Sequence, residues 1–434
     1  MERIRRVVVA LAALVVVAPP AHAELTVQIL RGMAEAVPVA IVPFGWEGSE
    51  PAPWDVAATV QADLERSGRF RALPRADLLE LPHEAGQVDA AAWRLLQVDY
   101  VVVGRLLRVD SARYELRYEL VHTVTGERIL GLALPADRAA LKLASHRISD
   151  AVYERILGVR GAFATRIAYV AVDGPAAARS FRLIVADADG ANERVVFSSP
   201  EPVMSPAWSP DGRALAYVSF HGGTPAIYVQ TLRTGEQIRV SARSGINGAP
   251  AWSPDGSQLA LTLSRRDGNV DIWLLTLATQ ELRRLTDDPA IDTEPAWSPN
   301  AQALYFTSDR AGGPQVYRLG IGAGERPRRV TFEGRYNARP RVSPDGRELA
   351  VVTIDRDAFR IAVVDLQRGT QRVLSNGRLD ESPSYAPNGA SLIYATRDGG
   401  RGVLATVSTD GRVQQRLAAS AGAVREPAWS PYLP

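Results

Sequence analysis

Pro206-Ala-Trp-Ser-Pro-Asp-Gly212 is the stretch that decides the fold, because the chain repeats it. Related words follow at Pro250-Ala-Trp-Ser-Pro-Asp-Gly256, Pro295-Ala-Trp-Ser-Pro-Asn300, Pro340-Arg-Val-Ser-Pro-Asp-Gly346, Pro383-Ser-Tyr-Ala-Pro-Asn-Gly389 and Pro427-Ala-Trp-Ser-Pro431. The period is about 44 residues, and three further apolar stretches of strand length separate successive words. Four strands per repeat at this period describe the blades of a β-propeller. Ser-Pro-Asp-Gly suits a tight turn, with proline pre-setting one φ and glycine closing the turn. Asn300-Ala301 replaces Asp-Gly in one repeat, so a distorted turn is expected there.

The ends of the array complement each other. Three strands precede the first word, at Ile167–Val170, Phe181–Ala186 and Arg194–Phe197, and they lack a word of their own. The last word, from Pro427, lacks its three strands. The C-terminal word therefore supplies the inner strand of the first blade, giving six blades and a ring without open sheet edges. Trp208, Trp252, Trp297 and Trp429 are expected to fill the gaps between blades.

Upstream of residue 165 the pattern changes. Residues 24–161 read as a small α/β domain and residues 165–434 as the propeller. Val37–Phe44 and Tyr100–Gly104 read as strands, and Trp54–Arg66, Asp89–Gln97 and Asp137–Ile156 as helices. Arg113–Leu120 alternates strictly, with Tyr114, Leu116, Tyr118 and Leu120 on one face. The fold class is thus a small α/β N-terminal domain followed by an all-β six-bladed propeller closed by the C-terminal strand.

Residues 1–23 have a basic start, a short apolar run and Ala21-His22-Ala23, the pattern of a cleaved secretory signal peptide. The run is too short to span a bilayer, so no transmembrane segment is expected in the mature protein. The chain carries 50 Lys and Arg against 48 Asp and Glu. The leader removes Arg3, Arg5, Arg6 and Glu2, so the mature charges balance. A nucleic-acid binder keeps a basic surplus, and none remains. The absence of cysteine fits an exported protein held by its core alone, in the bacterial periplasm.

No His-Glu-x-x-His helix and no Gly-x-Ser-x-Gly elbow occurs. No catalytic residue, metal or cofactor is expected. A lyase or hydrolase acting on envelope saccharides or peptides is the competing reading, and it requires acid, base or metal residues clustered in the channel. The residues just before each word should ring one mouth of that channel. They are Met204, Ser205, Gly248, Ala249, Thr293, Glu294, Ala338, Arg339, Glu381, Ser382, Arg425 and Glu426, with Asp292, Asn337 and Asp380 one step further out. Small side chains leave room there, and the carboxylates offer acceptors to a cationic or amide-rich partner. Arg265, Arg266, Arg310, Arg356, Arg397 and Arg401 are expected to form a basic outer rim, an arrangement suited to protein recognition. Simple solvated turns are the alternative. Glu24-Leu25-Thr26-Val27-Gln28-Ile29-Leu30 alternates like an edge strand. It is either a strand of the domain or a tail that pairs with another protein.

Over essentially its whole length the chain resembles the TolB family, periplasmic components of the Tol-Pal envelope system of Gram-negative bacteria. The resemblance rests on the domain order and on Asn247-Gly-Ala-Pro250, Thr293-Glu-Pro-Ala-Trp297, Asp380-Glu-Ser-Pro383 and Trp429-Ser-Pro-Tyr-Leu433. It implies a non-enzymatic protein that binds the lipoprotein Pal at the channel mouth, and is peripherally associated with the outer membrane through Pal. It implies an N-terminal tail, Glu24 to Gly32, that reaches the C-terminal domain of TolA in a manner coupled to Pal binding. It also implies a role in outer-membrane integrity and constriction during cell division. Carried onto this chain, the Pal contacts include Met204, Ile246, Asn247, Ala249, Thr293 and Glu294. Ile246 stands where the resemblance implies histidine.

Overall fold

In the computed structural model, residues 27–29, 36–175, 178–264, 268–322, 324–417 and 422–433 are described. The leader, Glu24 to Thr26, Leu30 and the pair Arg265-Arg266 lie outside them.

The N-terminal domain is a sheet with helices on both faces. Its strands are β2 (Val37–Ile41), β3 (Gly45–Trp46), β4 (Phe70–Ala72), β5 (Tyr100–Arg108), β6 (Arg113–His122) and β7 (Glu127–Asp137), following β1 (Val27–Ile29) at the N-terminus. The order is β4-β2-β5-β6-β7, parallel where β2 meets β4 and β5, and antiparallel from β5 to β7. Helices α1 (Val56–Arg66) and α3 (Leu141–Leu157) cover one face, and the short α2 (Ala90–Leu95) packs on the other through Trp93. The alternation in β6 has the expected result: Tyr114, Leu116, Tyr118 and Leu120 are all buried against α1 and α3. Asp55 caps α1 by accepting from the Ala58 N–H at 2.9 Å. Gly158, at φ +75°, ends α3.

Beyond the linker the chain forms six four-stranded sheets. The ring closes as the termini of the array demand. The C-terminal strand Ala423–Trp429 pairs with Arg166–Asp173 and becomes the inner strand of blade 1. Blades 2 to 6 begin at Val203, Asn247, Asp292, Asn337 and Glu381. Three of the four tryptophans of the repeated words link their inner strand to the neighbouring one. The indole N–H of Trp208 donates to the Ala428 carbonyl at 3.0 Å, that of Trp252 to Ala207 at 3.1 Å and that of Trp297 to Ala251 at 3.1 Å. Trp429 donates instead to the Thr165 hydroxyl at 2.8 Å, where the ring closes. A large ring that also satisfies its polar atom holds adjacent blades at a fixed separation.

One expectation fails. The Asn300-Ala301 turn is not distorted: Ala301 has φ +58°, close to +68° at Gly212. The reason is that the turn is over-determined by its hydrogen bonds. Ser298 Oγ donates to Asn300 Oδ1 at 2.8 Å, as Ser209 Oγ does to Asp211 Oδ1 at 2.6 Å. The amide oxygen substitutes for the carboxylate, and Ala301 is held in the left-handed region despite its Cβ.

The two domains meet on the face that carries these turns. Asn388 Nδ2 donates to the Arg160 carbonyl at 3.1 Å, and Gln415 Nε2 donates to the Arg66 carbonyl at 2.8 Å. The Arg160 guanidinium lies 4.2 Å from the centre of the Tyr432 ring. Gly68, at φ +66°, passes so close to blade 6 that a Cβ there would lie 1.9 Å from Val413. β1 pairs antiparallel with Val413–Gln415 and adds a fifth strand to the outer edge of that blade. Among the described residues no helix is long and apolar enough to cross a membrane.

Candidate partner-binding surface

Each inner strand runs from the open face toward the turn face, and every one carries the same irregularity. Pairing shifts between Met204 and Ala207, between Gly248 and Ala251, and at the corresponding points of the other four blades. The residue before each proline is the bulged one. Ser205, Ala249, Glu294, Arg339, Ser382 and Glu426 all have positive φ, between +43° and +56°. A non-glycine residue in this region costs roughly 1–2 kcal/mol. The bulge also frees its N–H from the ladder, and neighbouring blades supply acceptors. Ser205 N donates to the Glu426 carboxylate. Glu294 N donates to Thr262 Oγ1 at 3.1 Å, and Arg339 N to Glu294 Oε2 at 3.0 Å. Three of the six strained residues, Ser205, Glu294 and Arg339, thus tie neighbouring blades together around the channel.

That ring lines the channel together with Arg341 and the word prolines. The expectation that the carboxylates here are free acceptors needs correction. Arg339 Nε sits 2.7 Å from Glu294 Oε1, and its Nη1 donates to Ser382 Oγ. Burial works against the Arg339 charge, but Glu294, Glu426 and Glu381 outweigh it and hold the guanidinium more firmly protonated than a free arginine. Arg341 occupies a channel position that is alanine or serine in the other blades, and donates to the Pro340 carbonyl at 2.9 Å. Burial pushes its pKa down. Glu294 and Glu426 are thus already engaged within the protein, and two arginines balance them.

The residues proposed from sequence separate into two sets. Met204, Gly248, Ala249, Thr293, Glu381 and Arg425 are half-buried at or just inside the mouth, and Ile246 is 47% exposed on its rim. Asn247, Asn337 and Asp380 are a correction: their side chains are fully buried and turned into the blades. Asn247 Nδ2 donates to the Arg243 carbonyl at 2.6 Å, and Asn337 Nδ2 to Glu333 at 2.7 Å. Asp380 accepts from the Gly377 N–H at 2.9 Å. A short polar side chain at a strand start can satisfy the loop that precedes it. These residues shape the mouth loops rather than present acceptors. Buried Asp292 does the same by holding Arg310 at 2.8–2.9 Å, which removes Arg310 from the basic rim. Arg356, Arg397 and Arg401 remain exposed on that face.

Two features of the mouth escaped the sequence reading. Ile291 is 51% exposed and Phe332 is 66% exposed. With Ile246 they occupy the loops entering blades 3, 4 and 5, so three consecutive loops each present a large apolar side chain. Their only sequence signal is a large apolar residue in a loop, one or a few positions ahead of the buried Asn or Asp. Apolar side chains grouped this way, beside polar and charged groups, mark a surface for a macromolecule. The described residues of the N-terminal domain dock on the opposite face, through Arg66 and Arg160.

The N-terminal segment is placed only in part. β1 is bonded to the propeller's own outer edge, so it is not a strand of the N-terminal domain sheet.

A family model described as the TolB amino-terminal domain matches residues 25–129, and one described as the TolB beta propeller domain matches residues 153–433. The Tol-Pal system protein TolB of Xanthomonas oryzae pv. oryzae strain PXO99A is 51% identical over 411 residues, 94% of this chain and 93% of that protein. The same-named protein of Xanthomonas campestris pv. campestris strain B100 is 50% identical with the same coverage. The crystal structure of TolB from Acinetobacter baumannii is similar at a TM-score of 0.86 and 38% identity, covering 94% of this chain and 100% of that one.

Proposed function

Because the chain belongs to the TolB family, and is as such a non-enzymatic component of the Tol-Pal system, we propose that it is a periplasmic docking platform. The open channel mouth receives the lipoprotein Pal, and the N-terminal region engages the C-terminal domain of TolA. Through these contacts the protein supports outer-membrane integrity and constriction during division. Export by a cleaved signal peptide at residues 1–23 belongs to the same proposal.

The observation that carries the reading is the channel mouth, with Ile246, Ile291 and Phe332 exposed around inner strands that are hydrogen-bonded between blades. Binding to a rigid scaffold loses little conformational entropy, which favours affinity. The TolA assignment is supported by the position of β1: it pairs at the outer edge of blade 6, an edge that can exchange one strand for another. A Pal molecule that favoured one state of this strand would couple the two sites reciprocally.

Titration calorimetry with the soluble domain of Pal tests the mouth. Ala249→Arg places a charged side chain in the channel entrance and is expected to weaken binding at least tenfold while the melting temperature holds. Wild-type affinity in a folded Ala249→Arg protein would remove the mouth as the Pal site.

A further inference from the structure

A buried polar cluster joins the two domains well away from the channel. His146 on α3 is 1% exposed. Its Nδ1 lies 2.6 Å from Asp63 Oδ2 on α1. That carboxylate also accepts from Ser149 Oγ at 2.7 Å, and Arg66 Nη2 holds its other oxygen at 2.6 Å. A carboxylate so placed keeps the imidazole proton on Nδ1. Nε2 is then a lone pair. It is buried, has no hydrogen-bond partner, and points across the domain boundary at Asp189 Oδ2, 3.7 Å away.

Two lone pairs facing each other in a buried site call for a cation between them. Lys142 meets part of that demand. Its ammonium sits 2.7 Å from Asp189 Oδ2 and 3.7 Å from Asp187 Oδ2, but leaves Nε2 unsatisfied. Asp187 also accepts from Asn192 Nδ2 at 2.7 Å, and Asp189 from the Ala191 N–H at 3.0 Å. The donor atoms of His146, Asp187 and Asp189 lie within 4.8 Å of one another. A histidine that donates one ring N–H to a carboxylate and offers the other nitrogen is the usual setting of a metal-bound imidazole.

We propose that His146 Nε2, Asp187 and Asp189 form a divalent transition-metal site of the zinc type that bridges the N-terminal domain and blade 1, with Lys142 as a built-in competitor. Imidazole with two carboxylates selects zinc-like ions over calcium or magnesium. Donors around a tetrahedral zinc are about 3.3 Å apart for bonds of about 2.0 Å, so closing the site needs shifts of a few tenths of an ångström at the nearest pair. Asp187 and Asp189 stay 17–20% accessible, which gives an ion a way in. Lys142 must swing out toward solvent when the ion enters.

The experiment is calorimetric titration of the metal-free mature chain with Zn²⁺, repeated with Co²⁺ to read its visible absorption. Background is low, since the chain has no cysteine and few histidines. One saturable site is expected. Asp189→Asn and His146→Gln should each weaken it at least tenfold, and Lys142→Met should tighten it severalfold. Circular dichroism melts establish that each variant is folded, and Asp187→Asn, at the end of the strand Ser180–Asp187, serves as a further ligand variant. No saturable site in either the wild type or Lys142→Met overturns the proposal. Binding that is unchanged in the folded ligand variants does the same.

Discussion

Phe332→Ala gives a quantitative handle on the channel mouth. An enclosed aromatic side chain removes roughly 150–250 Å² from water. Phe332 is 66% exposed, so roughly 100–165 Å² remains available to a partner. At about 25 cal/mol per Å², complete burial is worth roughly 2.5–4 kcal/mol. Incomplete enclosure and the methyl group kept by alanine reduce this to about 2 kcal/mol, or about 30-fold in the dissociation constant for Pal. Stability should hardly change, because the ring is already in water and its one described ring contact is with Arg329, 5.3 Å from its centre. Calorimetry with soluble Pal measures the affinity and a thermal melt checks the fold. Ile238→Ala is the control: Ile238 is 57% exposed on the outer strand of blade 2, away from the mouth, and should leave binding unaltered. A folded Phe332→Ala protein binding within twofold of wild type would show that exposure at the mouth is not recruited by the partner.

Two further outcomes concern the fold. Ala301→Gly should stabilise the protein by about 0.5–1 kcal/mol, since the left-handed penalty of roughly 1–2 kcal/mol exceeds the added entropy loss of glycine; an unchanged or lower denaturation midpoint contradicts this. Asp150 accepts from the Phe163 and Ala164 N–H groups and is pushed up to about 6, chiefly by burial. The folded state therefore binds this proton more tightly than the unfolded chain. That contribution is present below about pH 4 and is lost as pH rises through 6. Asp150→Asn removes the titration, so its stability relative to wild type should improve by up to roughly 3 kcal/mol between pH 4 and pH 7; parallel stability curves for the two proteins would refute the shift.

The propeller was legible because its signals are local and repeated. Five of the six words carry their own turn, most carry an aromatic ring at the same position, and the unmatched ends state how the circle closes. In the N-terminal domain, the alternation from Tyr114 to Leu120 needed no tertiary information, whereas α3 starts at Leu141 rather than Asp137 because β7 continues to Asp137 in pairing with Arg113. The channel was less legible. Ser205, Ala249, Glu294, Arg339, Ser382 and Glu426 share no chemistry that favours positive φ, and the bulge is imposed by the register between strands. Glu294 and Arg339 pair across a blade boundary, so their mutual neutralisation is invisible along the chain. Asn247, Asn337 and Asp380 read as residues of the mouth, because sequence position alone does not say which way a loop-end side chain turns. Asp63, His146 and Asp189 come from three separate segments and meet only when the two domains dock.

Backbone hydrogen exchange of the mature protein with and without soluble Pal tests the central claim most directly. Protection is expected in residues 243–249, 288–294 and 332–339, on the open face. The turns at 209–213 and 386–390, on the face occupied by the N-terminal domain, should exchange as before. Protection confined to those turns, or to the N-terminal domain, would contradict a partner seated at the channel mouth.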